Sequence, residues 1–330
     1  MADASEDYEG VGKSVEVINP NSNPMIAGLH TYLLRDTDEN FTDGFRAYIS
    51  EGSLVKTAFQ RLQTGMKVFG VSKANLVTIP IPVPTKPEQR AIAQTLQDVD
   101  QLLQALEQRL AKKEAIKRGV MQRLLTPGEE WKEYRLGDLG NTFGGLTGKS
   151  KKDFSDGNAQ YIPFMNVMSN PVIDLEYLDE VKISDSDHQN TGQRGDLFFN
   201  TSSETPEEVG MCSVLLEDVS NLYLNSFCFG FRFRELGDFD GLFMAHYFRS
   251  SYGRELMYSL AQGATRYNLS KTNFLNLNIE LPSFEKQTKI ATILTDLDTE
   301  LDRLRDRLHK YQQLKRGLMQ QLLTGKIRLV

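Results

Sequence analysis

Residues Gly263–Asn273 read GATRYNLSKTN. The stretch gathers a glycine turn, two cations (Arg266 and Lys271), one ring (Tyr267) and the small polar groups of Thr265, Asn268 and Ser270. Those are the groups that hold phosphate and read base edges in a duplex. A plain polar loop has the same composition, so both readings stand. GGLTGKSKKDF (Gly144–Phe154) sets Thr147, Lys149, Lys151 and Lys152 on a glycine-rich turn. It lacks the spacing and the strand–loop–helix context of a nucleotide phosphate loop. It reads either as a phosphate-contacting, groove-entering loop or as a solvated one. NTSSETPEEVG (Asn200–Gly210) places Thr201, Ser202 and Ser203 just after a strand end, a usual place for binding residues. The other reading is a cap or turn role for Ser203 and Glu204.

Enzyme chemistry finds little support. Asp174 with Glu180-Val181-Lys182 only loosely echoes the acids and lysine of a metal nuclease. His30, His188, His246 and His309 show no ligand spacing. There is no nucleophile elbow, no glycine-rich dinucleotide fingerprint, and no Asn-Pro-Pro or Asp-Pro-Pro aromatic motif for methylating base amino groups. No catalytic residue, metal or cofactor is expected here; the chemistry is assigned to a partner.

The elements that position these loops are two long helices. Ile92–Thr126 reads IAQTLQDVDQLLQALEQRLAKKEAIKRGVMQRLLT, and Ile290–Thr324 reads IATILTDLDTELDRLRDRLHKYQQLKRGLMQQLLT. The offset is 198 without a gap. Leu96, Val99, Leu103, Leu106 and Leu110 in the first copy, and Leu294, Leu297, Leu301, Leu304 and Leu308 in the second, alternate in steps of four and three. That is a coiled-coil seam, and at 1.5 Å per residue each helix spans roughly 50 Å. Each seam needs a partner, and the other copy is the obvious one. Gly119 and Gly317 recur inside these helices although glycine there costs about 1 kcal/mol. This suggests a close backbone approach, between the helices or to a partner; the alternative is a relic of duplication.

The repeat reaches beyond the helices. Gly65, Ser72-Lys73, Asn75, Pro84 and Gln89 return as Gly263, Ser270-Lys271, Asn273, Pro282 and Gln287. The chain is therefore a module written twice, α+β in class, with mixed strands and helices in the globular parts and an antiparallel coiled coil between the long helices. The counterpart of Glu133–Phe198 falls ahead of Met1, so the first copy is expected to be incomplete. The expected division is 1–87 for the first globular part, 88–126 for the first long helix, 127–131 for a hinge, 132–284 for the complete second globular part, 285–325 for the second long helix and 326–330 for a tail.

Strands are expected at Ser14–Ile18, Gly28–Leu34, Gln160–Val167, Asp196–Ser203, Ser213–Leu216 and Ser226–Phe233. Helix is expected over Phe41–Leu62 and Phe239–Ala261, and extended exits over Leu76–Pro84 and Phe274–Pro282. Gly263–Lys271 is expected as loop.

Net charge is −6, so any basic surface is local. Cys212 and Cys228 have no pairing or metal pattern and read as reduced thiols of an intracellular, cytoplasmic protein. No apolar run is long enough for a membrane span.

The motifs GDLFFNTSSETPEEVG and QGATRYNLSKTNFLNLNIELPSFEKQ, with the helix ends KRGVMQRLLT and KRGLMQQLLTGKI, resemble the specificity subunits of type I restriction–modification systems. ADASEDYEGVG and MIAGLHTYLLR look typical of the first half. The resemblance implies two target recognition domains, each reading half of a split site in double-stranded DNA, with the long helices as a ruler between them. It implies methyltransferase (M) subunits around those helices and a restriction/translocase (R) subunit joining them. With the first recognition domain cut short, two chains could pair through the long helices and read a palindromic site. A reading of another class is a coiled-coil adaptor that binds only proteins.

Overall fold

The computed structural model describes residues 1–7, 9–18, 24–154, 156–184, 186–235 and 237–330. They form two compact units, residues 1–112 with 301–330, and residues 113–300.

In the first unit β1 (Ala4–Ser5) pairs antiparallel with β2 (Phe69–Gly70). Between them lie α1 (Arg46–Ile49) and α2 (Ser53–Leu62), parted at Ser50–Gly52 where one continuous helical stretch is expected. α3 (Lys73–Leu76) starts at Ser72, whose hydroxyl accepts the Asn75 N–H. α4 (Lys86–Leu124) opens with Pro87 in its first turn and ends just before Pro127-Gly128. Val11, Val55, Phe59, Val71 and Ile79 form a small core, and Phe45 and Tyr48 pack with Ile92, Ala93, Leu96, Leu322 and Leu323.

In the second unit β3 (Lys132–Arg135), α5 (Leu136–Leu139) and β4 (Gly140–Gly144) lead to β5 (Ala159–Ile162), α6 (Phe164–Ser169) and β6 (Asp179–Val181). β7 (Leu197–Asn200), β8 (Ser202–Ser203), β9 (Cys212–Val214), β10 (Leu222–Leu224) and β11 (Cys228–Phe233) follow. Then come α7 (Gly241–Arg249), α8 (Ser251–Leu260), β12 (Ala261–Gln262), β13 (Tyr267–Leu269), α9 (Lys271–Leu275), β14 (Asn278–Leu281) and α10 (Phe284–Leu322). β4, β11, β7 and β9 make the main sheet, in that order. Its two middle strands are apolar on both faces because both faces are covered. Phe199 lies at the centre, with ring centroids 4.8 Å from Phe274, 5.2 Å from Phe248 and 5.3 Å from Phe229.

The two units repeat one framework. β1 with β2 matches β8 with β13, residue for residue at the offset of 198. Gln89 and Gln287, both buried, lock the starts of α4 and α10 alike. Gln89 accepts from the Thr42 N–H at 2.8 Å and donates to the Pro84 carbonyl at 2.9 Å. Gln287 accepts from the Asp240 N–H at 3.0 Å and donates to the Pro282 carbonyl at 2.9 Å.

The long helices pair antiparallel. In the first unit Lys315 meets Asp100 at 2.5 Å; in the second Lys117 pairs with Asp298, and Lys113 meets Glu300 at 2.7 Å. Leu96, Leu103, Leu106, Leu294, Leu301 and Leu304 of the seam are buried. Val99, Leu110, Leu297 and Leu308 are half-buried, as expected where two helices alone cannot cover both sides of a seam. The reading of Gly119 and Gly317 as close contacts between the helices is corrected. A Cβ added at either would meet nothing within 4 Å.

Other expectations are also corrected. Ser14–Ile18 and Gly28–Leu34 carry no strand; only Thr31 makes an isolated bridge, to Ala2. Gln160–Val167 is strand only to Ile162, because Pro163 starts α6. Phe239–Ala261 is two helices, since the Ser250 hydroxyl caps α8 by accepting the Gly253 N–H. Gly263–Lys271 is not simply a loop: it holds β13 and the first residue of α9.

Candidate nucleic-acid interface

The loop singled out by its residue types is the turn of a hairpin. β12 pairs with β13, and β13 pairs onward with β8. The turn needs glycine at its first position. Gly263 has φ +140, and a Cβ there would collide with the carbonyl oxygen of Arg266. Gly65 repeats this in the first unit, with φ +135 and the carbonyl oxygen of Val68 in the way. The fold thus makes one tight turn twice and varies what it presents.

In the second unit the turn presents Thr265 and Arg266, with Asn268 beside them, all exposed. Tyr267 points the other way and packs against the main core. Below the hairpin Lys271 is exposed at the start of α9.

Phe227, which sequence reasoning missed, stands next to this turn. It is 54% exposed, and the Arg266 guanidinium lies over its ring, 5.7 Å from the centroid. Alternation along Ser226–Phe233 groups Phe227 with the buried Phe229 and Phe231. A turn intervenes: the Cys228 N–H donates to the Asn225 carbonyl at 3.0 Å, so β11 starts only after Phe227. The Asn225 side chain accepts the Phe227 N–H at 2.8 Å, and the Thr201 N–H donates to the Phe227 carbonyl at 2.8 Å. The signal that could have found it is Asn225-Ser226, a turn pair just ahead of the ring.

The glycine-rich loop reaches the same turn through the Gly145 N–H, which donates to the Cys228 carbonyl at 3.3 Å. Thr147 is exposed, its backbone clasped by the Gln189 side chain at 3.1 and 2.8 Å. Lys149 does not face solvent as a phosphate donor: its side chain is largely buried and paired with Asp187. That ammonium, and then the Ser184 N–H, hold the Asp187 carboxyl down at about 2. Lys151 and Lys152 are exposed on a 3-10 turn (Lys151–Phe154) whose Asp153 carbonyl accepts the Lys182 N–H at 2.7 Å, just past β6.

Three hydroxyls expected as DNA contacts are buried or engaged within the fold. Ser202 and Ser203 are buried in β8, and the Ser203 hydroxyl donates to Glu208 at 2.8 Å. Ser270 caps α9, as Ser72 caps α3, so the shared Ser-Lys is partly a helix start. Thr201 is half-buried and holds the Phe227 turn and β13 through its backbone. Thr147, Lys151, Lys152, Phe227, Thr265, Arg266, Asn268 and Lys271 are left as exposed side chains. Among the described residues no group of His, Cys, Asp and Glu could hold a metal. Among the described residues no helix is long and apolar enough to cross a membrane.

The family described as the type I restriction modification DNA specificity domain matches residues 14–118 and 128–315. The chain is 24% identical to the type I restriction enzyme MjaVIII specificity subunit of Methanocaldococcus jannaschii, over 86% of this chain and 70% of that protein. In fold it is similar to the HsdS subunit from Thermoanaerobacter tengcongensis, at 15% identity and TM-score 0.51, covering 86% of this chain and 70% of that one. It is likewise similar to a chain solved in work on complex assembly and conformational transition of the type I R-M system, at 14% identity and TM-score 0.58, covering 86% and 71%. A duplicated module, paired long helices and a family match over most of both repeats agree: the chain belongs to the type I restriction–modification DNA specificity subunits.

Proposed function

We propose that the second unit is the target recognition domain that reads one half of a split site in double-stranded DNA. The observation that supports this best is the glycine-forced hairpin turn, which sets Thr265, Arg266 and Asn268 beside Phe227 and Lys271 on one rigid frame. Cations and small polar groups there suit phosphate and base edges. In this reading residues 132–284 are the recognition domain, 88–126 and 285–325 are the spacer helices, and 1–87 are the first globular part. The chain itself does no chemistry; M subunits methylate, and an R subunit cleaves and translocates. Two copies pair through the long helices and present two second units.

Methylation mapping tests this. The chain is co-expressed with its methyltransferase subunit, and modified adenines are mapped across the host genome. A palindromic split motif is the expected outcome. An asymmetric split motif keeps the DNA reading and overturns the pairing of copies. No sequence-dependent modification by an assembled complex overturns the DNA reading and favours a protein-binding adaptor.

A further inference from the structure

We infer that Phe227 and Arg266 work as one reading unit: Phe227 holds the Arg266 guanidinium in position to take a guanine edge in the major groove. The inference rests on the DNA reading proposed above and adds a positioning residue and a base. An exposed arginine ordinarily samples many rotamers. Here one face of the Phe227 ring is covered by the guanidinium, and cation–π attraction restrains the fork. The ring cannot drift either, because Asn225 and Thr201 hold the Phe227 backbone from both sides. A planar, oriented fork suits bidentate contact with guanine O6 and N7.

The ring decides against a phosphate anchor. A half-exposed phenyl gains nothing in the charged layer of the DNA backbone. In the groove its free edge meets bases, including the thymine methyl group, which suits an apolar contact. With one face already taken by Arg266 the ring is not free to insert between base pairs. The first unit carries Leu29 and Val68 at the matching positions, both exposed and uncharged, so it has no such reader.

The test uses the full chain assembled with its methyltransferase subunit and duplexes carrying the mapped motif. Each guanine of the half-site is replaced singly by 7-deazaguanine, which deletes the N7 acceptor; a random duplex reports non-specific affinity. One replacement should weaken wild-type binding roughly tenfold, the scale of a single good base contact. Arg266→Gln and Phe227→Ala should lose the same factor and then ignore that replacement. Phe227→Tyr should restore it, and Phe227→Ala should lose far less affinity for the random duplex than for the motif. Equal losses on motif and random duplex, with a shallower salt dependence, would make Arg266 a phosphate anchor and overturn the inference. So would a half-site without guanine, or a Phe227→Ala protein that still senses 7-deazaguanine. A wild-type complex that binds motif and random duplex alike would instead sink the DNA reading itself.

Discussion

Val17, Ile26 and Leu33 in the first unit stand where Leu215, Leu224 and Phe231 stand in the second. All three are apolar in both units, yet the first set is exposed, Ile26 completely, and the second set is buried to 1% or less. The difference lies in what covers them. In the second unit β9, β10 and β11 are paired by β4, β5 and β7. No described strand of the first unit covers Val17, Ile26 or Leu33. One pair of backbone bonds recurs: the Ala2 N–H donates to the Lys13 carbonyl and the Gly12 N–H to the Ala2 carbonyl, at 2.8 and 3.0 Å. Asn200 makes the same two bonds with Met211 and Gly210, at 3.3 and 3.2 Å. A helix satisfies its own backbone, so α2, α3 and α4 form in the first unit regardless. A strand depends on its neighbour, so residues 14–18 and 28–34 form none.

A second contrast sits on the helix seam. In the first unit the Tyr48 hydroxyl donates to Asp100 at 2.8 Å, beside Lys315. The matching group in the second unit is His246, buried, facing Asp298 and Lys117 with Arg249 and Asp240 nearby. Arginine use differs too. Arg249 bonds the carbonyls of Cys212, Val167, Met168 and Asn170 at 2.5–3.1 Å, bracing the end of α6 against β9. Its counterpart Glu51 pairs instead with Lys56 at 2.8 Å.

The largest expected effect separates the two cores. Phe199→Ala should destabilise the second unit by about 3–5 kcal/mol, while Ile26→Ala leaves stability within about 0.5 kcal/mol. Denaturant unfolding followed separately for each unit checks this; a destabilising Ile26→Ala would mean that the first unit is covered in solution.

Next in size is the acid response of the second unit. Burial lowers His246 to about 4 from its ordinary 6.5, so the native state resists its protonation. The unfolded state takes up that proton first as pH falls. Stability is therefore full above pH 6.5 and declines as pH drops towards 4, by on the order of 2–3 kcal/mol. His246→Tyr, which copies the first unit, should flatten the curve over that window. Melting temperature against pH is the measurement, and an unchanged slope would break the comparison.

The smallest effect tests the likeness of the units. Lys315 with Asp100 and Lys117 with Asp298 occupy matching places and are about a quarter to a third exposed. Double-mutant cycles to alanine should give similar couplings, each no more than about 1 kcal/mol. Coupling at one pair alone would show that the repeat's symmetry is only in sequence.

Much of the candidate site was legible in the sequence. The residue types of Gly263–Asn273 pointed to the hairpin face, and the recurrence of Gly65 as Gly263 marked a turn built twice. What misled was treating each polar side chain as available. Ser203, Ser270 and Lys149 have local partners and Ser202 is buried in β8, and nothing in their spacing distinguishes them from Thr265 or Lys271. Phe227 was hidden because two-residue alternation continues through it, while the turn ahead of β11 does not.

The sequence alone determined the duplication, the two long helices and their seam. Those depend on local periodicity and on backbone bonds made within one segment. Only the tertiary structure decided which apolar segments become strands, which hydroxyls remain free, and that Phe227 lies under Arg266. Each of these depends on groups far apart in the chain being brought together, and neither composition nor spacing encodes that neighbour directly.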